Sequence, residues 1–103
     1  MYSIRFSQIA YSDMSDIVSY ISHDLNNHDA AKKLTHKFIE SSKTLMDFPY
    51  GIPVYHPLKP LEHEYRKLIV NNYTMFYWID EDIKTVYIER VVYSGSYQSN
   101  YLK

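Results

Sequence analysis

Cysteine is absent from this 103-residue chain, which removes disulfides, thiolate catalysis and thiolate metal sites together and is compatible with a reducing compartment. Glycine occurs only twice. No apolar run approaches the ~20 residues that span a bilayer, and the N-terminus lacks the basic-then-apolar layout of a signal peptide. The expectation is a cytoplasmic protein with no membrane partner. Charge of either sign is not in excess, since 11 Lys and Arg face 12 Asp and Glu for a formal net charge of −1. That balance excludes bulk electrostatic attraction to nucleic acid or anionic lipid, so any RNA contact must be local.

What is present is apolar and aromatic. A hydrophobic content of 46% in 103 residues fits one core and a single domain over residues 1–103. Twelve tyrosines suit either a packed small sheet or a partner surface, because tyrosine offers large contact area at little entropy cost.

The stretch from Glu64 to Tyr93 is rich in aromatic and β-branched residues, broken only by Asn71-Asn72 and the Asp80-Glu81-Asp82 cluster. It predicts three short strands in a meander, which needs an apolar cover on at least one face. Upstream, Tyr2, Ile4 and Phe6 alternate with Ser3 and Arg5 as a half-buried strand. Ser7 is a good N-cap for a helix whose stripe is Ala10, Met14, Ile17 and Ile21, with Asp13 and Asp16 near its start where negative charge suits the dipole. That helix should end near Asn26-Asn27. Asn27 or Asp29 can cap a second helix carrying Ala31, Leu34, Phe38 and Leu45, stopped by Pro49. The two helices form a hairpin able to cover one sheet face. All four prolines lie between Phe48 and Pro60, an ordered loop that returns the chain to the meander.

Both faces of the middle strand are apolar, with Tyr73, Met75, Tyr77 and Ile79 alternating with Thr74, Phe76 and Trp78. Either Phe76 and Trp78 face a protein partner, or the proline loop or the C-terminal segment covers them. Tyr97 and Tyr101 in the polar tail are further candidates for that partner surface.

The order and spacing of several stretches resemble the RelE/ParE superfamily of bacterial type II toxin–antitoxin toxins. YSIRFSQIAYSDMSDIVSYI resembles the family's opening strand and helix, and DAAKKLTHKF with LMDFPYGIPVY its second helix and following proline–glycine segment. EYRKLIVNNYTMFYWIDED and VYIERVVY resemble its meander. The resemblance implies an α+β fold of β-α-α-β-β-β order, with a helical hairpin on one face of a small, mainly antiparallel sheet. It also implies a cognate antitoxin partner and one of two activities. RelE-like members cut messenger RNA in the ribosomal A site, with the RNA 2′-hydroxyl as nucleophile; ParE-like members inhibit DNA gyrase and are not nucleases.

For mRNA cleavage, the leading expectation here, the resemblance assigns phosphate binding to Lys67, Arg66 and Arg90 and proton transfer or stacking to Tyr93. The departures are Ile69 and Thr74 where cleaving members carry cations, and SGSYQ in place of an arginine-rich ending. Their absence should lower a cleavage rate steeply. The gyrase inhibitor, or a weakened toxin that mainly binds its antitoxin, is the alternative. No cofactor is expected, and His23, His28, His36, His56 and His63 show no metal-ligand spacing. Glu62-His63-Glu64 beside Arg66 and Lys67 is either a general-base cluster or a solvated strand approach. Lys32, Lys33 and Lys37 form either an RNA or ribosome contact or a solvated helix face.

Overall fold

Alternation over Ser3–Phe6 becomes strand β1, and Ser7 then turns the chain into helix α1, Gln8–Ser19, its hydroxyl accepting the Ala10 amide at 3.0 Å. In the computed structural model, which describes residues 1–57, 59–96 and 102, the α1 winding loosens into one π-helical turn, Tyr20–Asp24, before Asn26 takes a left-handed backbone at φ 48°. Helix α2, His28–Lys43, starts where Asn27 accepts the Ala30 amide, and it tightens into a 3-10 turn, Thr44–Met46. It therefore stops before Pro49, the residue expected to end it.

Strands β2 (Arg66–Val70), β3 (Tyr73–Asp80) and β4 (Thr85–Tyr93) form the expected meander. Its first turn uses Asn71 at φ 53°, a backbone that asparagine tolerates, and its second is held by Asp80 accepting the Asp82 amide. The sheet order is β1-β4-β3-β2, with β1 parallel to β4 and the other pairs antiparallel. This is the α+β arrangement that the sequence implied, with the helical hairpin on one face. No helix among the described residues is long and apolar enough to cross a membrane.

The helix-side core joins Ala10, Leu34, Phe38 and Leu45 to Val70, Met75, Tyr77, Val86, Ile88 and Val91. The opposite face takes the covered reading of the two left open, and not the partner-facing one expected of Phe76 and Trp78. Phe76 is fully buried there with Tyr65, Val92 and Leu102, and Tyr55, Leu61 and Trp78 pack against that cluster. The proline segment crosses this face and begins to extend the sheet, with a Val54–Arg66 bridge and the Tyr55 amide donating to the Tyr65 carbonyl at 2.8 Å. Phe76 therefore presents no surface to a partner. Trp78 is half-buried with both ring faces occupied, by His63 at 3.7 Å and 4° and by Tyr87 at 4.7 Å and 18°. Tyr97 and Tyr101 lie outside the described residues.

One carboxylate ties three segments at the β3–β4 end. Glu81 accepts from the hydroxyls of Tyr2 and Tyr50 and pairs with Lys84. Those bonds, the Lys84 ammonium first and then the Tyr50 and Tyr2 hydroxyls, hold its carboxyl down from 4.5 to about 2, while the same carboxylate pushes the Tyr50 phenol up to about 12. A folded-state value below the unfolded one stabilises the fold above the unfolded pKa and is lost as pH falls toward the folded one. Glu81→Gln should thus flatten the acid side of the stability profile between pH 4.5 and about 2, measured by urea unfolding across that range; an unchanged profile would refute the linkage. Phe76→Ala should cost about 3–4 kcal/mol, as for a core aromatic. A loss below about 1 kcal/mol in denaturant unfolding would mean the second face is open after all.

Candidate functional site

The strand pairing shows why β4 holds its arginine as it does. Phe76 pairs with Arg90 but Tyr77 pairs with Ile88, so Glu89 is an extra residue, a β-bulge that resets the alternation. Ile88 and Val91 both reach the helix-side core in consequence. At the bulge, Asp13 of α1 receives Arg90 Nε at 2.8 Å, Arg90 Nη2 at 2.9 Å and the Val91 amide at 2.9 Å. The Asp13 and Arg90 side chains are only 15% and 22% exposed, so this is a largely desolvated, two-pronged pair. The helix-dipole reading of Asp13 does not describe it, and Arg90, expected to bind phosphate, meets a carboxylate. Glu89, released to the other face, accepts the Trp78 indole N–H at 2.9 Å.

The other residues expected in catalysis are dispersed. Arg66 lies on the helix-side face, donating to the Ile52 carbonyl, pairing with Glu64 at 3.6 Å and resting 5.1 Å from the Tyr50 ring centroid. Lys67 is on the opposite face with its ammonium 5.0 Å from the Tyr55 ring centroid. Register places Lys67 opposite Phe76 and Phe76 opposite Arg90, so two strand spacings, about 10 Å, separate their backbones. Tyr93 is three residues farther along, opposite Tyr73 and 58% exposed.

The positions of departure have opposite fates. Ile69 is exposed, whereas Thr74 is fully buried with its hydroxyl 2.8 Å from that of Ser94, in a space that a long cation could not share. Glu62, His63 and Glu64 do share a cavity of about 460 Å³ with Arg66 and Trp78, without Lys67. Lys33 pairs with Asp29 in full solvent exposure, the ordinary state of a charged helix face. Among the described residues no three metal-ligating side chains come together.

A feature that the helical stripes did not reveal is an apolar groove of about 420 Å³ on the outside of the hairpin. Tyr11, Met14 and Val18 of α1 and Phe38 and Ile39 of α2 line it, with Phe6 of β1. Its signal in the sequence was the surplus of apolar residues beside each stripe, Tyr11, Val18 and Ile39, more than one buried face requires.

Comparison with known proteins returns one fold. The family model described as ParE toxin of the type II toxin–antitoxin system parDE matches residues 4–95. The chromosomal ParDE system from P. aeruginosa superposes with a TM-score of 0.72 at 18% identity, covering 90% of this chain and 96% of that one. The archaeal RelE–RelB complex from Pyrococcus horikoshii gives 0.62 at 13% identity, with 91% and 96% covered. A metal-bound toxin from Helicobacter pylori gives 0.54 at 22%, with 90% and 94% covered. No relative among curated proteins matches the chain.

Removing one partner of a desolvated charge pair strands the other, at a cost of about 3 kcal/mol at the low end for such sites. Asp13→Ala should lose that much in denaturant unfolding with an unchanged m-value. A loss under about 1 kcal/mol would reduce the contact to a surface pair.

Proposed function

Because the chain belongs to the ParE toxin family of type II toxin–antitoxin systems, we propose that it halts growth by binding DNA gyrase and not by cutting messenger RNA. The observation that carries this reading is the commitment of Arg90. Cleavage through an RNA 2′-hydroxyl needs cations aimed at the charge that develops on phosphorus, each donor contributing about 3–4 kcal/mol. Arg90 meets a carboxylate in two hydrogen bonds, so a phosphate approaching it would also meet the negative charge of Asp13. Arg66 is held by the proline segment, and Tyr93 lies two strands from Lys67 and three residues farther along, which supports binding as the mode of action. The mRNA interferase that the family resemblance put first is the opposite outcome of the test.

Primer extension on a translated message after induction should show no A-site cuts while gyrase–DNA cleavage complexes accumulate. A-site cuts that vanish in Lys67→Ala and Tyr93→Phe would overturn the reading in favour of mRNA cleavage. No growth arrest from the intact toxin would leave a module that only binds its antitoxin.

Neutralisation would come from a cognate antitoxin laying an amphipathic helix into the Tyr11–Val18–Ile39 groove, since such grooves take apolar anchors at helical spacing. Charge placed at the centre of that groove, in Val18→Glu or Ile39→Glu, should weaken the toxin–antitoxin complex about 100-fold, the loss typical of a hot spot. Calorimetric titration of the purified pair checks this, and unchanged affinity in both variants would place the antitoxin elsewhere.

A further inference from the structure

A third, smaller and open cavity lies at the end of β4 beside the Asp13–Arg90 pair, about 270 Å³ and walled in part by Asp16, Ile17, Tyr73, Arg90, Tyr93 and Ser96. Pockets for metabolites run to roughly 300–1,000 Å³, so this one suits a single side chain. Two features of its wall point to the charge of that side chain.

Tyr93 is held in place while its ring stays open. The ring lies so close over Gly95 that a Cβ at that residue would overlap its carbons, and it meets Tyr73 edge to face at 6.3 Å and 74°. It nevertheless remains 58% exposed. A fixed aromatic face turned to solvent attracts a cation through its quadrupole.

The local charge has the complementary sign. Arg90 and Asp13 cancel in their two-pronged contact. Asp16, three residues farther along α1 on the same wall, is exposed, and its carboxylate has neither a hydrogen bond nor an ion pair among the described residues. One carboxylate is left over, which repels a phosphate and favours a cation.

We propose that this cavity receives an arginine side chain from a protein partner, with the guanidinium stacked on Tyr93 and its N–H groups donating to the Asp16 carboxylate. A guanidinium suits it better than an ammonium, because its plane lies flat on the ring while its edge reaches both carboxylate oxygens. The assignment concerns the ligand of the cavity and holds whichever cellular target the toxin meets.

The test is an NMR titration of the full chain with N-acetyl-arginine methylamide, with the citrulline analogue as neutral isostere and inorganic phosphate as anion. Saturable shifts are expected at the amides of Ile17, Gly95 and Ser96 with the arginine probe alone. Binding should weaken at least ~5-fold in Asp16→Asn and in Tyr93→Leu, and persist in Tyr93→Phe, which keeps the ring. Equal binding of the citrulline analogue would overturn the proposal, as would the same shifts with phosphate or indifference to Asp16→Asn. Absence of saturable shifts would do so too. Asp16 is exposed, so its variant carries the test even if Tyr93→Leu disturbs the end of β4.

Discussion

Three donors converge on the carboxylate of Asp13, and the docking of the helical hairpin depends on that convergence. An extra residue in β4 interrupts the regular alternation at Glu89 and Arg90. Such an interruption brings polar groups where a core should be, and a buried donor without an acceptor costs about 1–3 kcal/mol. Asp13 accepts the Val91 amide and two guanidinium nitrogens together. The irregularity of the strand and the polar residue in the helix are therefore one feature. Ser7 reinforces it from the start of the helix, its hydroxyl donating to the Glu89 carbonyl at 2.8 Å while it caps α1.

The same bulge sorts the two faces of the sheet. Beyond it, Val91 joins the core beneath the hairpin, while Val92 joins Phe76 and Tyr65 beneath the proline segment. A small sheet is thereby clad on both sides by its own chain, over the central part of which only half-buried or buried aromatic rings remain. Surface available to partners moves outward as a result, to the outside of the hairpin and to the ends of the strands. The exposed large apolar residues follow that division: Ile9, Tyr11 and Ile39 on the helices, Ile69 and Tyr93 toward one end of the sheet, Phe48, Tyr50 and Ile83 toward the other.

Much of this was legible in the residues and some was not. The caps Ser7 and Asn27, the two apolar stripes and the meander with its asparagine turn were readable because each is a local pattern with a local cause. The bulge left a trace, since Glu89 and Arg90 stand side by side where alternation allows one polar residue, but both faces of β3 are apolar and so did not show which residue of β4 was extra. Asp13 was misread for a related reason. Near a helix start an aspartate has a sufficient local explanation, and its actual partner is 77 residues away. The cover over Phe76 was one of two open readings; it comes from segments without periodicity, which carry no signal of what they will lie against.

The position of Arg90 also shows what a strand bulge demands of the residues around it. A strand bulge leaves polar groups that must be satisfied, and an arginine there can answer either an internal carboxylate or an external phosphate. With aspartate opposite it on α1, the guanidinium meets a largely desolvated internal carboxylate through Nε and Nη2, so a phosphate approaching the same arginine would also meet the negative charge of Asp13. The contact thus ties β4 to α1, and toward this end of the sheet the chain presents Tyr73 and Tyr93, the exposed Ile69 and a closed Thr74–Ser94 pair. Those groups suit contact with protein, through area and stacking, better than they suit charge stabilisation at phosphorus.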